Sequence, residues 1–284
     1  MPNEKQLNSA TLNKETYEKI KDLRIIDDAL FRLMASRKDV CQEILRTLLD
    51  DDNLEVIEVV PQEELISIFR GVILDALCKL SDGLYCNIEM QKDNRKNDLK
   101  RVRFHASLIT TNKTPKGTDL ADIPNVKILY ITTYDMLGNG QTLTHVSRCQ
   151  WVKNKYLPLD DGEDIILANT EIKDGTKHSR LLQLFLRSDS FYDEMFPALS
   201  EAMKYYKEDE RGQDTVSEVT KQWKKEGYEE GLAASKDIIK KEQAKTKKAE
   251  KRAKAAEESA KREKARAEAA EEELAKLKRM MQQT

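Results

Sequence analysis

The residues in this chain whose types and spacing could do chemistry lie in one stretch, Arg70 to Gln91, which reads RGVILDALCKLSDGLYCNIEMQ. Asp75 sits in one apolar run and Glu89 and Gln91 in the next, with Ser81-Asp82-Gly83 between them. An Asp-Gly between two β-rich runs signals a hairpin, and the loop length decides which side chains meet. A two-residue Asp82-Gly83 turn sets Asp75 opposite Met90 and sends Glu89 to the other side of the sheet. A three-residue loop ending in a left-handed Gly83, the position where that loop prefers glycine, pairs Leu80 with Leu84 and sets Asp75 across from Glu89 with Gln91 on the same face. In that second register the two acids have Cβ atoms about 5 Å apart. Carboxylates so placed repel, and a divalent cation removes the repulsion by taking oxygen ligands from both. The carbonyl of residue 90 could add a ligand, and Gln91 could hold a water or a phosphate oxygen. A hard metal there would activate water beside a phosphodiester. The competing reading is a pair of ordinary solvent-facing strand residues.

The string D-x(13)-E-x-Q in the setting ILDALCKLSDGLYCNIEMQ resembles the core of the PD-(D/E)XK nuclease superfamily, and more narrowly its Rpn-type branch of recombination-promoting nucleases and transposases, where Gln often replaces Lys. Upstream, Ile26-Asp27-Asp28-Ala29-Leu30-Phe31-Arg32 resembles that branch's N-D-x-x-F-K element, with Asp28 at the Asp position and Arg32 at the Lys position. Downstream, Arg101-Val102-Arg103-Phe104 resembles its R-x-x-Y element. Asp27 for Asn, Arg32 for Lys and Phe104 for Tyr are departures. The resemblance spans roughly residues 20 to 200. It implies a metal-dependent DNA endonuclease linked to recombination or mobile elements. Asp75 and Glu89 would hold Mg²⁺ (or Mn²⁺), and Gln91 and Asp28 would complete the catalytic set. Arg101 and Arg32 are then the expected DNA-binding residues. It also implies a restriction-endonuclease-like α/β (α+β) core.

The elements that must position these residues are legible from periodicity. From Lys21 to about Leu49 the spacing is helical, with Ile25, Ala29, Leu33 and Met34 on one face and Val40, Ile44, Leu48 and Leu49 repeating it. Ser36 to Asp39 divides two helices, the second capped by Ser36 or Asp39. Leu54 to Val60 reads as a strand stopped by Pro61. Residues 92 to 98 are a polar loop, and Leu99 to Ile109 returns to a helical spacing that puts Arg101 and His105 on one face. Arg70, in the other approach to the site, is a further cation within reach of phosphate, or a solvated edge residue. His105 reads as a structural histidine or a general acid or base. Thr110 to Pro124 reads as a loop. Strands follow at Val126 to Thr133, Leu143 to Val146 and Asp164 to Thr170, then helices at His178 to Leu186 and Phe191 to Tyr206. This order predicts a mixed sheet with helices on both faces.

Composition bounds the rest. Of 284 residues 35% are charged, and the net charge is −2. Residues 240 to 284 hold 15 Lys/Arg against 9 Glu, a net of +6, which leaves −8 for residues 1 to 239. An acidic body weakens a nucleic-acid reading unless a local patch offsets it. Four cysteines without a CxxC pair and three histidines argue against a zinc site. The absence of an apolar run of membrane length or a leader predicts no membrane partner and a cytoplasmic protein with reduced thiols. The organisation expected is a flexible segment over residues 1–20, a nuclease-like domain over 21–210, and a charged Ala/Lys/Glu helix over 211–284. One heptad register there puts Leu232, Ile239, Thr246, Ala253, Ala260, Ala267, Leu274 and Met281 at a, with Ala249, Ala256, Ala270 and Leu277 but also Ser235, Glu242 and Glu263 at d. It supports a homodimeric coiled coil best at Leu274 to Met281 and weak in its alanine-rich middle; a solvated single helix and a basic nucleic-acid arm are the alternatives. On a scaffold that lacks the superfamily Lys, the whole chain could instead be an inactive, coiled-coil-assembling interaction module.

Overall fold

A computed structural model describes residues 20–66, 71–94 and 98–281. The first helices are α1 (Asp28–Ala35) and α2 (Lys38–Leu48). Strands β1 (Val56–Leu65), β2 (Val72–Leu80) and β3 (Tyr85–Gln91) follow, then α3 (Asp98–Lys113) and β4 (Val126–Thr132). After these come β5 (Leu143–Val146), β6 (Cys149–Val152), β7 (Lys155–Pro158) and β8 (Glu163–Asn169), and last α4 (Lys177–Leu184), α5 (Pro197–Glu208) and α6 (Glu210–Met281).

Six strands form one mixed sheet in the order β1-β2-β3-β4-β8-β5. β1, β2 and β3 run antiparallel to one another, β3, β4 and β8 are parallel, and β5 returns antiparallel to β8. Helices cover both faces. On one side Cys78, Ile88, Leu129 and Ile166 pack against Leu30, Met34, Ile44, Leu181, Phe185, Leu199 and Met203 from α1, α2, α4 and α5. On the other, Leu77, Val126, Ile128, Tyr130 and Leu167 pack against Val102, Ala106 and Ile109 of α3. This is the restriction-endonuclease-like arrangement that the resemblance implied, with a long C-terminal helix appended.

Several local expectations are corrected. Pro61 does not end its strand; β1 continues to Leu65, with Pro61 opposite Ala76. β1 is an edge strand, where a residue without an N–H costs no ladder bond on its open side. The first helix starts at Asp28, after a turn in which Arg24 donates its backbone N–H to Asp27 Oδ2 at 2.7 Å. Neither Ser36 nor Asp39 caps α2: its N-cap is Arg37, the Ser36 hydroxyl donates back to the Leu33 carbonyl, and Asp39 accepts from the Arg37 guanidinium. α3 runs on to Lys113, with the hydroxyls of Thr110 and Thr114 turned onto carbonyls four residues back. Residues 191–196 are not helical; α5 begins at Pro197, where the Glu43 carboxylate accepts the free N–H groups of Ala198 and Leu199. β6 and β7 form a separate hairpin about Lys153-Asn154, both at positive φ, with Trp151 against Tyr156.

Contacts divide the chain into two units, Met1–Lys221 and Gln222–Thr284. In the first, Val216 joins the core. In the second, every residue from 242 to 264 is exposed and helical. The expected seam at Leu274–Met281 lies outside the residues whose side chains are described, as do Arg70 and the first nineteen residues. No helix among the described residues is long and apolar enough to cross a membrane.

Candidate active site

The loop between β2 and β3 has three residues. Leu80 donates its N–H to the Leu84 carbonyl at 2.9 Å, Gly83 donates to Leu80, and Gly83 sits at φ 89°, where a side chain would be strained. The ladder then runs Lys79 to Tyr85, Cys78 to Cys86 and Ala76 to Ile88. One step beyond, the same register would set Asp75 against Glu89, whose charge Asp75 feels. The strands part at this point. Asp75 Oδ2 takes the Met90 N–H at 2.8 Å, so a carboxylate replaces the carbonyl that a continuing ladder would supply. β3 goes on alone beside β4 to Gln91.

Alternation along β3 gives it two faces. Cys86, Ile88 and Met90 enter the larger apolar cluster. Asn87, Glu89 and Gln91 are also buried, but polar. Their partners come from α3. Arg101 Nη2 donates to Glu89 Oε1 at 2.7 Å and Nη1 to Gln91 Oε1 at 2.9 Å. Asn87 Nδ2 donates to Glu89 Oε2 at 3.1 Å. His105 Nδ1 lies 3.5 Å from the same oxygen, too far for a well-made hydrogen bond, and has no hydrogen-bond partner among the described residues. Gln91 Nε2 donates to the Asp93 carbonyl.

The two acids experience this setting in opposite ways. Burial, then the Glu89 charge, pushes the Asp75 carboxyl well above the usual carboxylate range; Asp28 adds to the rise, while the Met90 N–H and Arg101 oppose it. Burial would also raise Glu89, but His105, Arg101 and Asn87 outweigh it and hold that carboxyl below its ordinary value. One carboxylate is therefore neutralised by the protein, and its neighbour is not.

Of the residues expected at the site, Asp75, Glu89, Gln91 and Arg101 come together. Asp28 is the exposed first residue of α1 and is felt at Asp75 through its charge. Arg32, one turn further along α1, donates to Gln62 Oε1 at 2.8 Å. Beside them Lys92 Nζ meets Asp27 Oδ1 at 2.6 Å, tying the start of α1 to the end of β3. Asn87 was not singled out in the sequence, although its place two residues before Glu89 on one strand is a sufficient signal. Nor was Asp98, buried at the start of α3, where the hydroxyls of Tyr130 and Tyr134 both point at its carboxylate. Nothing local in the sequence links residues 98, 130 and 134.

The donor set suits a hard divalent cation. Asp75 Oδ1 has no hydrogen-bond partner among the described residues, and the repulsion it feels from Glu89 and Asp28 is what such an ion relieves. No group of three or more His, Cys, Asp or Glu among the described residues could hold a metal by itself. Two carboxylates with a backbone carbonyl would leave the remaining positions of a hard divalent ion to water and substrate phosphates.

Residues 10–157, just over half of the sequence, match a family model described as PD-(D/E)XK nuclease family transposase. The chain belongs to that family. Curated proteins and solved structures gave no match. As a PD-(D/E)XK nuclease family transposase it falls among nucleases associated with mobile elements, proteins that generally use divalent metals and act on DNA. The matched span ends within the β6–β7 hairpin, so it covers the β2–β3 fork and α3 whole.

Proposed function

We propose that this chain is a Mg²⁺- or Mn²⁺-dependent DNA endonuclease that hydrolyses phosphodiester bonds in recombination or mobile-element movement. The observation that carries the reading is the fork where β2 and β3 part, with Asp75 and Glu89 facing one another across it. Asp75 and Glu89 would be the metal-holding residues. A divalent ion bound there supplies an activated water and stabilises charge on the phosphate. Arg101 keeps the Glu89 carboxylate ionised and aimed, and Gln91 holds the second half of the Arg101 guanidinium. Gln91 cannot carry a charge, so it is a weaker aid to the transition state than Lys. Asp28 and Arg32 approach from α1, the acid toward the ion and the cation toward the DNA. Arg101, on α3, would be the other cation to meet the DNA.

The test is nicking of supercoiled plasmid with Mg²⁺ or Mn²⁺ by wild type, Asp75→Ala and Glu89→Ala. Nicking by wild type alone supports the reading. Equal nicking by all three, or none by wild type, ends it. In that second event the chain is better read as an inactive scaffold that assembles through its C-terminal helix. That assembly is our second proposal, favoured by the exposed apolar side chains of Leu232 and Ile239 at successive a positions. Sedimentation of the full chain and of Leu232→Glu/Ile239→Glu checks it; a dimer that becomes a monomer supports a paired helix, and equal masses reject it.

A further inference from the structure

Beside the β2–β3 fork lies an open groove of about 780 Å³ between α3 and the first residues of β2. Gly71, Val72 and Ile73 form one wall; Lys100, Arg101, Arg103, Phe104 and His105 form the other. Two of its lining residues, Arg101 and His105, touch Glu89 from behind. The groove therefore lies one side chain away from Glu89, with Arg101 and His105 between them.

The cations along this wall differ in one respect. Arg101 is already committed to Glu89 and Gln91. Lys100 and Arg103 are exposed, and neither side chain has a hydrogen bond or ion pair among the described residues. The other described arginines between residues 20 and 208 have partners. Arg24, Arg37, Arg148, Arg180 and Arg187 meet carboxylates, Arg46 donates to the Leu54 carbonyl, and Arg32 to Gln62. Among the described residues of that span the Arg103 guanidinium is the exception. The acid of the groove, Asp98, is buried under the hydroxyls of Tyr130 and Tyr134 and does not compete for these cations. Residues 1 to 239 carry a net charge of −8, so two unpaired cations side by side form a local reversal of sign. Positions three apart on a helix have Cβ atoms about 5–6 Å apart, and both side chains are long enough to splay. Such a pair can grip neighbouring phosphates of one strand.

Resting on the nuclease reading, we infer that this groove is the track of the DNA strand that passes the carboxylate pair. Lys100 and Arg103 hold the phosphates next to the one that is cut. Arg103 suits this task because its guanidinium binds phosphate oxygens bidentately, and Lys100 serves as a point charge. Such contacts position the strand without reading its sequence. Ile73, exposed on the opposite wall, gives the sugar edge an apolar surface.

The experiment measures binding of the full chain to a short fluorescent duplex in EDTA, so that no cleavage intervenes, across about 50 to 200 mM salt. Lys100→Ala/Arg103→Ala should weaken binding at least tenfold at the low-salt end. It should also flatten the dependence of log K on log salt by about 0.9 for each phosphate that is no longer neutralised. Lys116→Ala/Lys173→Ala removes two exposed lysines outside the groove and should change neither. Circular dichroism melts confirm folding, since none of these side chains is buried. Equal affinity and slope for wild type and the groove variant overturn the inference, and so does a wild type that does not bind. Metal-dependent nicking is read separately. A wild type that nicks while the groove variant binds and nicks equally well defeats the groove alone. A groove variant that loses binding where wild type never nicks defeats the nuclease reading alone.

Discussion

The two faces of β3 are equally buried and chemically opposite. Cys86, Ile88 and Met90 enter the apolar cluster that α1 and α2 share. Asn87, Glu89 and Gln91 point at α3 and are tied by Arg101, His105 and one another. The apolar face requires only shape and volume. The polar face costs stability unless each donor and acceptor finds a partner, because a buried unpaired charge loses its hydration without return. One strand thus joins an apolar core on one side and a buried polar cluster on the other. On the proposed reading, a ligand would reach the polar side through the fork at Asp75.

Substitutions can break this contrast. The largest effect is expected from Asp75→Ala, which should lower metal-dependent nicking at least about 100-fold. The metal-free protein should melt little lower, since relief of a disfavoured charge offsets loss of the Met90 N–H bond. On the opposite face, Ile88→Ala should cost about 2–4 kcal/mol in urea unfolding while the remaining folded protein nicks at the wild-type rate. Arg101→Ala should cost about 2 kcal/mol, less than a fully sealed pair because the guanidinium is one-third exposed. Adding Glu89→Gln to it should recover part of that loss, and a double-mutant cycle with no coupling would refute the pairing. The smallest effect concerns the cysteines. Burial pushes the Cys86 thiol up to about 12, so it stays protonated in the folded chain where the unfolded chain would ionise. The folded state's advantage from this group is complete below the ordinary thiol pKa and is lost as pH rises from there through about 12. In the native protein a thiol reagent at mildly alkaline pH should modify exposed Cys149 and spare Cys41, Cys78 and Cys86. Fast modification of Cys86 would show the apolar face to be open.

Much of this contrast was legible in the sequence. Ser81-Asp82-Gly83 and strand alternation suffice to put Asp75, Glu89 and Gln91 on one side once the loop is known to have three residues. Gly83 at the loop's third position is the reason it does. Helical spacing alone placed Arg101 and His105 together. What escaped depended on contacts between distant residues. Whether Pro61 ends a strand depends on whether that strand lies at the sheet's edge, a tertiary fact. The partners of Asp98 are 32 and 36 residues away. The β6–β7 turn uses Lys153-Asn154 at positive φ, without the glycine that usually announces such a turn.

The guanidinium of Arg101 has one more consequence. A centre that must capture an ion in order to fold makes its own synthesis hostage to metal supply, as zinc-dependent modules are. Here an internal cation already balances the buried acid of β3, so under the proposed metal dependence the fold would not wait for an ion and only the activity would. What the ion would control in such a protein is when it acts, not whether it exists.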